Sequence, residues 1–410
     1  MERRKNPQNS SSNNNHLIQI SEFNYLPPEI WTQILENLPA KTLLKFRCVC
    51  KSWCSIIDNP DFIHIHLQIS QISNFGVNNR SLVALNSLGY LGNREIGYLL
   101  THRHPETLRK TGLIFRNSDL YSYRMIGSCN GLILVSRIES PRSMQKKLRL
   151  WNPCIRKSLV IPDSPFSPSL HANAVYLFGY ASVSKDYKVV ALAKEKGVGQ
   201  RTRKMYVTVY TLRDQRWTAR HDWLNVGIPN AIEMSRPSYC LSAAVSLKGV
   251  AYWLGKVDKN RNELSHICSF DFNKEEISFV ELPSSWDKRG SCRFLFLLGK
   301  SLAIFRISKV ASSIWVLDQD NKNGPWTQRF SGKSSQDGYE LFRFFYLNQK
   351  LFFCESDGGY FIRGNKSYNI ASCEVQEYKG FKGFSLQLEL YSESLVLSKG
   401  YGACDLRVFP

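Results

Sequence analysis

LPPEIWTQILENLPAKTLLKFRCVCKSWCSII, Leu26 to Ile57, is the stretch around which the rest of the chain is read. Pro28 stands where a proline can open a helix, because the first helical N–H has no intrahelical partner to lose. Ile30, Trp31, Ile34, Leu35 and Leu38 then recur at helical spacing as one apolar stripe, which Pro39 ends. A second short helix fits Ala40 to Phe46. A third carries Val49, Cys50, Trp53, Ile56 and Ile57 before Asp58-Asn59-Pro60 breaks it. Three helices this short cannot bury so many large apolar groups among themselves, since modules below about 40 residues are marginal without staples or partners. Part of that surface is expected to await another protein.

The pattern LPxEI followed by ILxxLPxxxLLxFRxVCKxW resembles the F-box. That resemblance implies docking onto a Skp-family adaptor and, through it, onto the cullin and RING subunits of a ubiquitin ligase. Carried over residue by residue, the adaptor-facing positions are Leu26, Pro27, Ile30, Ile34, Leu35, Leu38, Pro39, Leu43, Leu44, Phe46, Val49, Cys50 and Trp53. The competing reading is an ordinary helical hairpin packed on the rest of the chain. Two Leu-Pro pairs and a Val-Cys-Lys-x-Trp run at the right offsets argue against it.

The chain has 410 residues, a length that allows two or three domains. Twenty-three Phe, nineteen Tyr and nine Trp, with short Val/Ile-rich runs between turn residues, favour an all-β body after the helical start. Eleven cysteines without framework spacing read as reduced thiols of a cytoplasmic or nuclear protein. No apolar run is long enough to span a bilayer, and MERRKNPQNSSSNNN lacks the apolar core of a secretory signal. Residues 1–24 read as a disordered leader, 25–60 as the F-box, 61–124 as a connector packed on the next domain, and 125–410 as the β domain. The connector is ambiguous within itself: Phe62, Ile65, Leu67 and Ile69 fit either a helix or a strand.

From Met125 a strand–turn–strand theme recurs. Turns at Gly249, Gly299 and Asn348 lie about fifty residues apart, the spacing of four-stranded propeller blades. Five or six irregular blades are expected, with SLQLELYSESLVL left as a lone strand pair. A β-sandwich is the rival architecture. Trp151, Trp217, Trp253 and Trp315 fall at comparable places in successive units and are expected to be buried. The segments IGSCNGL (Ile126 to Leu132), LWNP (Leu150 to Pro153), FGY and DYKVV (Phe178 to Val190), VYTLRDQRW (Val209 to Trp217) and YSESLV (Tyr391 to Val396) resemble the F-box-associated domain of plant F-box/kelch and S-locus F-box proteins. No paired glycines head a blade, so the pattern departs from true kelch repeats. The fold class expected is α+β multidomain: a small three-helix F-box followed by an all-β, kelch-like propeller.

Catalytic and metal motifs are weighed and set aside. Cys48 and Cys50 point to different sides of a helix, and His64-x-His66 lacks further ligands. Gly127-Ser128-Cys129-Asn130-Gly131 has Cys129 where a nucleophile elbow needs serine, and is better read as a turn between strands. No cofactor is implied, and the chain reads as non-catalytic.

A net charge of +20 requires an acidic counterpart. Two readings compete. In the first, the chain is the substrate-recognition subunit of a Skp–cullin–F-box ligase, and the β domain holds a protein target with an acidic or phosphorylated segment. In the second, a basic propeller binds nucleic acid or an anionic surface, with the F-box controlling its own turnover. The first is favoured, because alternating aromatic and polar residues such as YVTVYTLRDQRW are what half-buried strands look like. No membrane partner is implied. In up-and-down blades the short turns share one rim and the longer loops the other, and long loops on a rigid scaffold are where binding usually sits. Three long loops carry Arg137, Arg142, Lys146, Lys147, Lys194, Lys196, Arg201, Arg203, Lys204, Lys256, Lys259 and Arg261 against Glu139, Glu195, Asp258 and Glu263. The target-binding residues expected are Arg137, Arg142, Lys146, Lys147, Arg201, Arg203, Lys204, Lys256 and Arg261. Arg201 and Arg203 suit bidentate pairing with carboxylate or phosphate.

Overall fold

The computed structural model describes residues 26–73, 81–86, 95–101, 109–116, 123–138, 146–167, 170, 174–194, 205–220, 244–256, 264–283, 292–307, 311–318, 326–333, 340–347, 350–356, 362–369, 375–378, 386–397 and 404–405. The leader expected over residues 1–24 lies outside them. Four helices open the chain: α1 (Pro28–Glu36), α2 (Ala40–Phe46), α3 (Lys51–Ile57) and α4 (Pro60–Ser73). The first two stand where the sequence places them, and the third starts later than expected: it begins at Lys51, so Val49 and Cys50, read as helical, precede it, with Cys50 extended at its N-cap. The fourth decides between the helix and the strand that the pattern of Phe62, Ile65, Leu67 and Ile69 left open. Asn59 Oδ1 accepts the Asp61 amide at 2.8 Å, and Pro60 fills the first helical position, so the same three residues that end α3 also start α4. The signal was present, because an Asx residue followed by proline is also a helix-start pattern.

The β body comprises β1 (Ser81–Asn86), β2 (Glu95–Thr101), β3 (Arg109–Arg116), β4 (Tyr123–Cys129), β5 (Leu132–Ile138), β6 (Lys146–Asn152), β7 (Lys157–Ile161), β8 (Val175–Ala181), β9 (Asp186–Lys194), β10 (Met205–Thr211), β11 (Arg216–Arg220), β12 (Val245–Leu247), β13 (Val250–Lys256), β14 (Leu264–Asp271), β15 (Glu276–Glu281), β16 (Cys292–Leu298), β17 (Ser301–Ile307), β18 (Ala311–Leu317), β19 (Trp326–Lys333), β20 (Glu340–Leu347), β21 (Lys350–Ser356), β22 (Ile362–Asn369), β23 (Val375–Tyr378), β24 (Leu386–Tyr391) and β25 (Cys404–Asp405). They form six antiparallel sheets. Five follow chain order, from β4–β7 to β20–β23. The remaining sheet is closed by the other end of the chain: β24 pairs along the whole of β1, with Leu82 opposite Leu390 and Leu85 opposite Gln387. Strands β1–β3 thus belong to a blade rather than to a connector, and Leu386–Tyr391 is its innermost strand rather than half of a lone pair. The short β25 extends the β4–β7 sheet at its outer edge.

The innermost strands touch their neighbours around a closed ring, β24 to β4 to β8, then through β12 and β13 to β16, β20 and back to β24. This is a six-bladed propeller and not a sandwich. Strands inside a blade are covered on both faces by adjacent blades, which is why β9 reads DYKVVALAK with every residue from Asp186 to Ala193 buried. The outer strand β15 instead alternates, with Ile277 buried between exposed Glu276 and Ser278. Among the described residues, the interfaces between successive blades from β4–β7 to β16–β19 each have an apolar cluster. One joins Leu132, Leu150, Phe178 and Val189, and the next joins Leu177, Val190, Trp253 and Phe270. Gly179 is needed for close approach, because a Cβ there would sit 2.1 Å from the Phe272 ring.

The tryptophans divide. Trp151 and Trp253 are buried, but Trp217 and Trp315 are half-buried. They occupy a third, second, fourth and third strand respectively, so they do not share one register. A different tryptophan device does repeat. Trp217 near the start of β11 donates its indole N–H to Pro162 O at 2.8 Å, and Trp326 at the start of β19 donates to Glu281 O at 2.8 Å. Each clips an outer strand to the end of the preceding blade's outer strand. Truncating Trp151 to Ala should cost about 3–5 kcal/mol, as for a large aromatic in a core, whereas Trp315→Ala should cost about 1–2 kcal/mol. Paired thermal melts check this. Equal losses for the two variants would contradict the burial assigned here.

Candidate functional site

The helical module combines a packed interior with an apolar exterior. Leu35 of α1, Ala40 and Leu43 of α2, Ile57 of α3 and Phe62 of α4 are buried in one cluster. That cluster is continuous with Met125, Ile133, Trp151, Cys154, Tyr391 and Leu395 of the propeller. Arg47 pairs with Asp58 at 2.8 Å and ties the ends of α2 and α3 together. Trp53 lies between Trp31 and Phe46, with ring centroids 5.1 and 5.2 Å away. The buried His66 donates its Nε2–H to the Leu38 carbonyl at 2.8 Å and so fastens α4 under the α1–α2 turn. Burial pushes its pKa below the ordinary histidine range, which keeps the ring neutral. His64 reaches the other way, its Nδ1 3.4 Å from Tyr180 Oη, because residues two apart on a helix face different sides.

The thirteen adaptor-facing candidates therefore separate. Leu26, Pro27, Ile30, Ile34, Pro39, Val49 and Cys50 are exposed, with Ile34 at 43% and Val49 at 62%. Leu38, Leu44, Phe46 and Trp53 are half-buried against the core cluster. Leu35 and Leu43 are fully buried and present no surface. Those two correct the sequence-derived set. An apolar stripe on a short helix cannot by itself say which of its two edges turns inward, and the propeller decided it.

Three separated sequence segments meet where the helices sit. Asn152, fully buried in LWNP, donates Nδ2–H to Ser394 O at 3.0 Å and to Val396 O at 2.7 Å, and lies 3.2 Å from Ser394 Oγ. Its Oδ1 accepts the Cys154 amide and the Tyr391 hydroxyl, both at 3.0 Å. Gly131 of IGSCNGL must be glycine, since at φ +78° a Cβ would fall 2.4 Å from Ser394 Oγ. The YSESLV segment thus lies against the other two as a buried strap leading from β24. Lys41 of α2 pairs with Glu393 of that strap at 2.9 Å. Cys129 and Cys154 are packed here as well, and burial pushes both thiols up to about 12, so they stay protonated and serve as small apolar fillers.

The helical module consequently rests on the rim formed by the short turns β4–β5, β6–β7 and β8–β9 and by the strap. Further contacts continue this rim: Asn273 Oδ1 accepts the Val183 amide at 2.9 Å, and Lys188 pairs with Glu275 at 2.8 Å. The strand ends that flank the β5–β6, β9–β10 and β13–β14 connections are on the opposite rim, as alternating strand directions require. Of the target-binding candidates there, Arg142, Arg201, Arg203, Lys204 and Arg261 lie outside the described residues, and for Lys256 only the strand backbone is described. Arg137, Lys146 and Lys147 are half-buried. Lys146 donates to Ala174 O at 2.7 Å and lies 5.9 Å from the Tyr176 ring centroid, while Lys147 pairs with Asp163. Those two lysines are engaged within the fold, so a target must compete for them.

Comparison with known proteins matches residues 23–65 to the F-box domain and residues 97–391 to the F-box associated beta propeller domain. Similar curated proteins come from Arabidopsis thaliana. An F-box/WD-40 repeat-containing protein is 27% identical over 325 residues, covering 76% of this chain and 69% of the relative. An F-box/kelch-repeat protein is 27% identical over 323 residues, covering 75% and 79%.

Proposed function

Because the chain belongs to the F-box proteins that carry an F-box-associated β-propeller domain, we propose that it is the substrate-recognition subunit of a Skp–cullin–F-box ubiquitin ligase. The observation that carries this reading is the exposed apolar set Leu26, Ile30, Ile34 and Val49, held on a module whose other face is locked into the propeller core. Several large aliphatics left exposed on one small module are the anchors a protein interface uses. A Skp-family adaptor docks there, and cullin and RING subunits join through it. The propeller holds a protein target on the long-loop rim, which the F-box leaves open, and Arg201, Arg203 and Lys204 pair with an acidic or phosphorylated segment. The chain performs no chemistry itself. It supplies proximity between the target's lysines and a ubiquitin-loaded enzyme.

Affinity capture from cell lysate with two variants tests both halves. Replacing Ile30, Ile34 and Val49 by Ala should cut adaptor recovery by about 100-fold or more and leave target recovery intact. Reversing Arg201, Arg203 and Lys204 to Glu should do the opposite, in a salt-sensitive way. Adaptor recovered at wild-type level with the first variant would reject the docking assignment. Main partners released by nuclease would favour the nucleic-acid reading instead.

A further inference from the structure

The rim that carries the F-box has an uncovered arc whose chemistry the proposed function does not use. At the β8–β9 turn Val183 is 85% exposed, the most exposed of the large apolar side chains among the described residues. Around it the turn tips present Lys185, Arg213, Arg216, Lys248 and Lys274, all exposed. The turns also carry carboxylates, of which Asp186 is buried and Asp271 and Glu275 are half-buried. Asp186 accepts the Tyr187 and Arg213 amides, Asp271 accepts the Asn273 and Lys274 amides, and Glu275 is neutralised by Lys188. Asp186 and Asp271 keep their charge behind the surface, but the exposed charges of these turns are the five cations against Asp214 and Glu276, so the outermost layer is positive. Lys185 and Lys248 hold φ of 50° and 48°, where glycine or asparagine would be the unstrained choice. The Arg213 guanidinium is steadied by donating to Ser184 O at 2.9 Å.

We propose that this arc is a secondary docking surface for an acidic face of the same adaptor that the F-box holds. The proposal rests on the F-box reading above. An aliphatic knob ringed by cations fits a protein surface with an apolar centre and an acidic border. A nucleic acid would instead call for exposed aromatic stacking groups, and none of the described turn-tip side chains that form the arc is aromatic. A partner tethered on the F-box lies on this side of the propeller, so contacts too weak to act alone gain from its high effective concentration. The arc then steers association and sets the orientation of the propeller relative to the ligase.

The test measures association of full-length protein with a purified Skp-family adaptor from about 50 to about 500 mM salt, for wild type and for the variant K185E/K248E/K274E. All three sites are exposed, and Glu275 holds in the β14–β15 turn the left-handed position that Lys185 holds in the β8–β9 turn; an unchanged circular-dichroism melt verifies that the variant folds. The expected result is an association rate about tenfold lower for the variant at low salt, converging with wild type at high salt. Val183→Ser should raise the dissociation rate several-fold without changing the salt response. Equal rates and equal salt response for wild type and the charge-reversal variant overturn the arc and leave the F-box reading standing, whereas a wild type that binds no adaptor removes both. Loss of binding to a mixed-sequence RNA by the variant, with adaptor association unchanged, also overturns the proposal.

Discussion

Leu35→Ala should destabilise the whole chain by about 2–5 kcal/mol, whereas Ile34→Ala, one residue away, should leave the melting curve within about 0.5 kcal/mol of wild type and weaken adaptor binding. The two side chains are chemically near-equivalent and sit on the same helix. Leu35 is fully buried in the cluster that includes Leu43, Ile57, Phe62, Trp151 and Leu395, so truncation leaves a cavity in a core shared by the F-box and the propeller. Ile34 is 43% exposed and loses little by truncation within the chain. Thermal melts and adaptor titrations on both variants read this directly. If Leu35→Ala melts as wild type and only loses adaptor, the helical module is independent of the propeller and the shared core is wrong.

The second large effect is expected at Asn152. Asn152→Ala should cost about 3–5 kcal/mol, because the buried carbonyls of Ser394 and Val396 lose their donor at about 1–3 kcal/mol each, and a buried network loses more than its pairs. Asn152→Asp separates hydrogen bonding from packing. It keeps the shape but turns a carboxylate toward two carbonyl oxygens, so it should be at least as damaging as Ala. Hydrogen exchange should show the loss first in Leu386–Tyr391, since the strap that anchors β24 is what Asn152 holds. An isosteric variant with wild-type stability would mean that the strap is held by Tyr391 and Leu395 alone.

Much of this architecture is legible in local residue patterns. The bounds of α2 follow from Pro39 and its apolar spacing. The two-residue turns Asn130-Gly131 and Lys248-Gly249, with positive φ at both positions, follow from the need for left-handed backbone in a tight hairpin. The quoted motifs were legible as marks of a family but not as parts: nothing local reveals that LWNP and YSESLV are one hydrogen-bonded unit, because the partners lie 242 residues apart. The tryptophan register failed for the same reason. Trp217 and Trp326 share a role that depends on where the preceding blade ends, and spacing along the chain does not encode that.

What the sequence alone determined is whatever depends on neighbours within a few residues: three of the four helices, the blade hairpins, the family motifs and the excess of positive charge. Tertiary structure decided the rest. It placed β24 on β1 to close the ring and made β1–β3 part of a blade. It also buried Leu35 and Leu43 in the propeller's core while leaving Ile30, Ile34 and Val49 outside. The physical reason is that burial is a property of both surfaces in a contact. A short amphipathic helix has apolar side chains enough for two partners, and only the arrival of the strap and the β6–β7 turn determines which of them its own chain covers.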